Sequence, residues 1–246
     1  RQALLASAGI PFMAQPADID ERALEEDFAG AGGDEVARRL AGAKAMSVSE
    51  HYAGRLVLGA DQTLSLDATV FSTRSKKDAW QVQEGVLTLA KKGGGYVWTK
   101  EQFGDFVLEL EFKTTGNSGV FFRSDPKNPV HGGFEVQVIN SAGKKDPGKH
   151  DAGALYDVMP PKVNAVTNDW NKLKIEAKGP SLSCWMNGQE QWSVDISKWT
   201  EAGKNPDGSK NKFKKALGEL PRTGHIGLQD HGATVSYRNI RVKLLK

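Results

Sequence analysis

The chain has 246 residues, 39% hydrophobic and 26% charged, with 33 Lys and Arg against 30 Asp and Glu. That length suits one large domain or two smaller ones, and the apolar fraction supports a buried core. A net charge of +3 argues against a basic nucleic-acid-binding face, and the single cysteine, Cys184, rules out an intrachain disulfide. No apolar run approaches the roughly 20 residues needed to span a bilayer.

In chain order, the first signal is helical. Asp34 is a suitable N-cap, and Val36, Leu40, Ala43 and Ala45 recur at helical spacing. Arg55-Leu56-Val57-Leu58-Gly59 reads as a short buried strand ending in Gly. Leu64-Ser65-Leu66 and Thr69-Val70-Phe71, separated by Asp67-Ala68, predict a hairpin. Residues 1–73 therefore read as a partial α/β segment.

From residue 74 onward the texture is β. In residues 106–113, Phe106, Leu108, Leu110 and Phe112 share one face, while Glu109, Glu111 and Lys113 take the other. Val86-Leu87-Thr88-Leu89 and residues 173–177, 182–186 and 235–244 behave similarly. Many short strands between Gly, Asn and Asp turns predict a mainly β sandwich or jelly roll over residues 74–246. Cys184 alternates on one of these strands as a quiet packing residue. Residues 199–222 are long and polar. They read as an edge insertion loop with a helical turn near 213–217, and the KNKFKK run at 210–215 reads as a solvated stretch.

Polar side chains interrupt the apolar strands at Arg123, Glu135, Gln137, Gln229 and His231. Glu135 and Gln137 are two apart, as are Gln229 and His231, so each pair is expected on one face of its strand. A sheet face carrying such groups is solvated or forms a cleft, because unpaired buried polar groups cost a few kcal/mol each. Plainer readings stand beside this one. Arg123 and Glu135 can form a cross-strand ion pair, His231 and His225 can be structural, and Gln137 is unremarkable by itself. Trp98 or Trp185 can stack on a ligand ring, although Trp in a β domain is more often core.

Several of these motifs resemble, in order, those of the 3-keto-disaccharide hydrolase domain family of lectin-like sandwiches. They are Gly116-Asn117-Ser118-Gly119-Val120-Phe121-Phe122-Arg123, Phe134-Glu135-Val136-Gln137-Val138, and Gly153-Ala154-Leu155-Tyr156-Asp157 followed by Pro160-Pro161. Trp170-Asn171-Lys172-Leu173-Lys174-Ile175, Asn187-Gly188 and the stretch 223–242 complete the set. The family's opening F-N-G-K-x-L-x-G-W strand has no counterpart before Lys77-Asp78-Ala79-Trp80. Residues 1–72 instead resemble the first half of a Maf-type nucleotide pyrophosphatase. The resemblance runs through Arg1-Gln2-Ala3-Leu4-Leu5, Gly9-Ile10-Pro11-Phe12, Pro16-Ala17-Asp18-Ile19-Asp20-Glu21, Ala43-Lys44-Ala45 and Gly59-Ala60-Asp61-Gln62-Thr63. It stops at Phe71-Ser72, where Thr73-Arg74 replaces the Maf Lys-Pro. The sequence, which starts at Arg1, thus reads as a truncated Maf-like segment joined to a sugar-hydrolase domain.

The first resemblance implies a concanavalin-like jelly roll that cleaves 3-keto-glycosides. The C3 keto group acidifies the C2 proton, a general base removes it, the glycosidic oxygen leaves C1, and water adds to the enone. The implied catalytic residues are His231, Glu135 and Arg123, with Asn117, Gln137, Tyr156, Asp157 and Gln229 binding the substrate. Glu135 and His231 can offer an O/N pair to a divalent metal ion such as Ca, Mn or Mg. Two-carboxylate glycoside hydrolysis is a rival mechanism, for which only Glu135 is well placed. A non-catalytic carbohydrate-binding module is the alternative function. A nucleoside triphosphate pyrophosphatase remnant, with Arg1, Glu21, Lys44, Asp61 and Gln62 at nucleotide-site positions, is a second alternative. The expected partner is a carbohydrate, with no nucleic acid or membrane. The sandwich family implies a periplasmic or secreted location and the Maf-like segment a cytoplasmic one, with no signal peptide visible. Oligomeric state, sugar and linkage are open at this level.

Overall fold

A computed structural model describes residues 13–27, 33–52, 57, 64–65, 71–73, 79–91, 93 and 95–245. The chain divides into two units, residues 1–63 and 64–246.

In the first unit, helix α1 (Glu21–Asp27) is capped by Asp20, whose Oδ1 accepts from Ala23 N at 3.0 Å. Helix α2 (Gly33–Ser49) covers the stretch with helical spacing, and of its stripe Val36 and Leu40 are buried. The strand expected over residues 55–59 lies outside the described residues apart from Val57.

The second unit is mainly β. Its strands are β1 (Leu64–Ser65), β2 (Phe71–Thr73), β3 (Trp80–Gln83), β4 (Val86–Leu89), β5 (Tyr96–Thr99), β6 (Phe106–Thr114) and β7 (Asn117–Ser124). They continue with β8 (Phe134–Ile139), β9 (Asn171–Lys178), β10 (Ser181–Met186), β11 (Gln189–Asp195), β12 (His225–Gln229) and β13 (Val235–Leu244). They form two sheets, ordered β11-β10-β9-β6-β13-β4-β3 with β1 also on β13, and β2-β5-β12-β7-β8. All of the described pairings between strands are antiparallel.

The period-2 pattern explains why two sheets close on each other. Phe106, Leu108, Leu110 and Phe112 of β6 meet Val120 and Phe122 of β7, Phe134, Val136 and Val138 of β8, and Ile226 and Leu228 of β12 in one core. Cys184 is fully buried within it, and burial pushes its thiol well above the ordinary range. The hydroxyl of Tyr237 is also buried, and it is satisfied by Ser118 Oγ at 2.7 Å, which lies 2.6 Å from the Gln229 carbonyl.

Three expectations change. The hairpin expected at residues 64–71 is not one: β1 pairs with β13 and β2 with β5, so the two strands enter different sheets. Both sheets therefore take in chain ahead of residue 74. The alternation of residues 235–244 is broken by a bulge between Arg238 and Arg241, with Asn239 at φ 52°. The inward set accordingly shifts from Val235 and Tyr237 to Ile240 and Val242, and Leu244, at the strand's end, is exposed. Residues 199–222 are anchored rather than loose, because Trp199, Phe213, Leu217 and Leu220 join the core. The helical turn is a short 3-10 segment, Leu217–Glu219.

Candidate active site on the five-stranded sheet

The outer face of the β2-β5-β12-β7-β8 sheet carries the side chains that alternate away from the core: Tyr96, Trp98, Asn117, Phe121, Glu135, Gln137 and Gln229. Trp98 lies over Gly227, where a Cβ would collide with its indole. Tyr96 stacks on Trp98 at 5.3 Å, and Phe121 packs edge-on against both. Trp98 is only 3% exposed, so it serves as floor rather than as an open stacking platform. Trp185 sits on the other sheet, with Lys174 5.0 Å from its ring.

Glu135 is the charged centre of this face. Phe121 stands opposite it on β7, and its carboxylate occupies the space above Gly119. It is 7% exposed, and Lys212 Nζ lies 3.4 Å from its Oε2. Burial raises its proton affinity above that of an ordinary glutamate, and the charges of Lys212, His231 and His150 offset this only in part. Burial likewise lowers the proton affinity of Lys212, against the pull of Glu135.

The loop after β8 docks on that strand's edge. Tyr156 N donates to Glu135 O at 2.9 Å, and Gly153 N and Gln137 N pair with Gln137 O and Ala154 O respectively. Tyr156 is thereby set beside Glu135, with Lys212 Nζ 4.1 Å from its ring centroid. Burial, then the charges of Glu135 and Asp157, keep its phenol protonated well past neutrality. Asp157 follows in the left-handed region (φ 62°), its Oδ1 2.9 Å from His150 Nε2 and 3.2 Å from Lys149 Nζ. Burial favours its protonation, but the hydrogen bonds from His150 and Lys149 outweigh that and hold it below the usual range.

Of the other expected residues, Gln137 Nε2 donates to Asn117 Oδ1 at 3.0 Å, and Gln229 Nε2 donates to Tyr96 Oη at 3.1 Å. His231 lies beyond the end of β12, in an exposed turn, so it does not share a strand face with Gln229. It lines a shallow recess with Gly93, Gly95, Asp230 and Gly232, close enough for its charge to act on Glu135.

Arg123 is placed apart from this group. A bulge in the β7–β12 pairing and a left-handed backbone (φ 46°) turn it away from the face. Fully buried, it donates to the carbonyls of Gly104 (2.9 Å) and Gly179 (2.7 Å) and to Asp105 Oδ1 (2.8 Å). It ties β7 to the strand ends of the other sheet, so neither a catalytic role nor an ion pair with Glu135 fits its position.

For the metal pair expected of Glu135 and His231, the surroundings of the carboxylate are these. Oε2 faces an ammonium group, and among the described residues no cluster of three or more His, Cys, Asp or Glu is arranged to hold a metal ion. In the first unit, Glu21 and Lys44 come together at 3.0 Å, while Arg1, Asp61 and Gln62 lie outside the described residues.

Lys212, Tyr96 and His150 were not legible as site residues. Lys212 belongs to the run read as solvated, yet its side chain is only 16% exposed. The buried Phe213 beside it pulls this part of the run down onto the sheet. That apolar residue inside KNKFKK was the one available signal.

The 3-keto-alpha-glucoside-1,2-lyase-like domain family matches residues 65–243, and the Maf-like protein family matches residues 1–88. A 3-keto-disaccharide hydrolase of Bacteroides thetaiotaomicron is 28% identical over 203 residues, covering 68% of this chain and 70% of that protein. A nucleoside triphosphate pyrophosphatase of Rhodopseudomonas palustris (strain HaA2) is 57% identical over 72 residues. That alignment takes in 29% of this chain and only 36% of the pyrophosphatase, so the chain spans about a third of that relative's length. Among solved structures, a candidate glycosyl hydrolase from Parabacteroides distasonis aligns with a TM-score of 0.66 at 31% identity, covering 72% of this chain and 94% of that one.

Proposed function

The chain belongs, over residues 65–243, to the 3-keto-alpha-glucoside-1,2-lyase-like domain family, and on that premise we propose that it cleaves 3-keto-glycosides with Glu135 as the general base. The observation that carries this reading is the buried Glu135–Lys212 pair on the sheet face. A base for a proton next to a ketone must hold that proton near neutral pH, and burial moves a carboxylate in that direction. The C2 proton and the C3 carbonyl oxygen sit on neighbouring carbons of the sugar. A carboxylate and an ammonium in contact can serve both at once: Glu135 takes the proton while Lys212 meets the charge that develops on the oxygen.

Elimination then breaks the C1–O bond, and its electron pair leaves with the glycosidic oxygen. Water adds to C1 of the enone, and Glu135 returns its proton to C2, giving the free 3-keto sugar. Asn117, Gln137, Tyr96 and Gln229 offer amides and a phenol to the hydroxyls, and the Tyr96, Trp98 and Phe121 cluster keeps the floor rigid. Direct displacement by two carboxylates has less support, because Asp157 is already committed to His150 and Lys149.

The test is release of 3-keto-glucose from a 3-keto-glucoside by the purified chain. Glu135→Gln is expected to lower kcat by about 10²–10⁴-fold. A chelator is expected to leave turnover unchanged, because Lys212 occupies the approach to the carboxylate. A folded protein that binds the sugar and releases nothing would make this sheet face a binding surface instead.

A further inference from the structure

The elimination described above leaves one need unmet. An alkoxide is a poor leaving group, so the glycosidic oxygen must receive a proton as the C1–O bond breaks. Tyr156 offers a phenol beside Glu135, but burial and the neighbouring carboxylates strengthen its hold on its proton. The imidazole beside its ring is better suited. The His150 ring lies 4.9 Å from that of Tyr156, and Lys212 approaches the same Tyr156 ring at 4.1 Å. Lys212, the partner of the base, and an imidazole thus both lie against one aromatic ring.

We propose that His150 is the general acid of the reaction, oriented by Asp157, and that it protonates the departing glycosidic oxygen while Glu135 holds the C2 proton. This assignment rests on the elimination chemistry proposed above. Three features of the arrangement support it. His150 Nε2 lies 2.9 Å from Asp157 Oδ1, and a carboxylate there orients the ring and fixes which ring nitrogen is left for transfer. Nδ1 has no hydrogen-bond partner among the described residues, and the side chain is 59% exposed, so that nitrogen is open to a ligand. Asp157 is itself held firmly: its backbone adopts φ 62°, its N–H donates to Lys149 O at 2.9 Å, and Lys149 Nζ contacts its carboxylate at 3.2 Å while donating to Lys210 O at 2.6 Å. A strained, multiply tied aspartate beside an exposed histidine fits a positioning residue better than a chance surface pair.

The protons balance. The C2–H bond breaks and its proton passes to Glu135. The C1–O bond breaks and the oxygen takes the imidazolium proton. When water adds to C1, it returns a proton to His150, and C2 recovers its own from Glu135.

Leaving-group dependence provides the test. Methyl 3-keto-glucoside needs an acid for its alkoxide, whereas p-nitrophenyl 3-keto-glucoside releases a stable anion without one. His150→Gln is expected to lose about 100-fold in kcat on the methyl glycoside and no more than a few-fold on the p-nitrophenyl one. Asp157→Asn should show the same split at smaller size, since it acts through His150. Equal losses on both substrates, or no loss on either, would overturn the assignment. Glu135→Gln separates the two ideas, because it should slow both substrates alike. If it does not, the base assignment fails even where the His150 split appears. A wild-type chain that turns over neither glycoside would overturn the elimination reading and the acid with it.

Discussion

The Glu135 carboxylate lies in the space that a side chain on Gly119 would fill. The two residues sit on neighbouring antiparallel strands, with Gly119 paired to Gln137 and Glu135 paired to Phe121, so the carboxylate reaches diagonally across the ladder. Gly119→Ala is expected to push the carboxylate off Lys212 and lower kcat/KM by about 10²-fold. Circular dichroism should show an intact sandwich in the same sample. Unchanged kcat/KM would mean that this position of Glu135 does not matter to catalysis.

The Glu135–Lys212 pair should weigh against stability. Both groups lose hydration, and their mutual attraction compensates incompletely. Lys212→Met alone is expected to cost about 3 kcal/mol, because it strands a buried carboxylate, while the double variant Glu135→Gln/Lys212→Met should recover most or all of that loss. Urea titrations of the full cycle measure the coupling. Additive losses would show that the pair is not electrostatically linked.

The pH dependence of stability follows from the same two groups. The folded Glu135 binds its proton more tightly than it does in the unfolded chain, so between the ordinary glutamate range and its raised value the folded state holds the extra proton. Stability should therefore fall as pH rises through that window. Lys212 loses its proton earlier when folded, so its contribution should rise with pH in the alkaline window below its ordinary value. Melting curves of the wild type against Glu135→Gln across the acid window test the first sign. An identical pH slope in the two proteins would count against it.

Arg123 should behave as a structural tie. Its guanidinium satisfies two carbonyls and Asp105 from a fully buried position, geometry that a lysine cannot reproduce. Arg123→Lys is expected to lose about 3 kcal/mol or more in denaturant unfolding, with kcat/KM near the wild-type value in the fraction that remains folded. A stable Arg123→Lys protein without activity would return the residue to the active site.

The strands β1 and β2 make a separate prediction. Leu64–Ser65 extends one sheet and Phe71–Thr73 the other, both ahead of residue 74. A chain starting at residue 64 is expected to melt cooperatively. One starting at residue 74 should melt lower by about 5 °C or more, since each kcal/mol moves Tm by a few degrees at this size. Equal melting temperatures would show that these pairings contribute nothing.

Much of this protein follows from one-dimensional pattern. Strict alternation in β6 places Phe106, Leu108, Leu110 and Phe112 inward because a strand repeats every two residues. The same rule places Glu135 and Gln137 together on the opposite face of β8 from Val136. The helix α2 followed from spacing alone, and the ordered motifs identified both family resemblances. What the pattern could not supply were the points where it breaks and the contacts that skip along the chain. A single extra residue in β7 and a positive φ take Arg123 out of the site and into a tie between sheets. The end of β12 before His231 removes that histidine from the strand face. Sheet edges, which are a matter of long-range pairing, separate β1 from β2. Lys212 reaches Glu135 across 77 positions in sequence, because Phe213 anchors its loop in the core. Alternation and propensity are local and so are written in sequence, whereas bulges, edges and buried ion pairs depend on which distant backbone arrives beside them, and only the folded chain decides that.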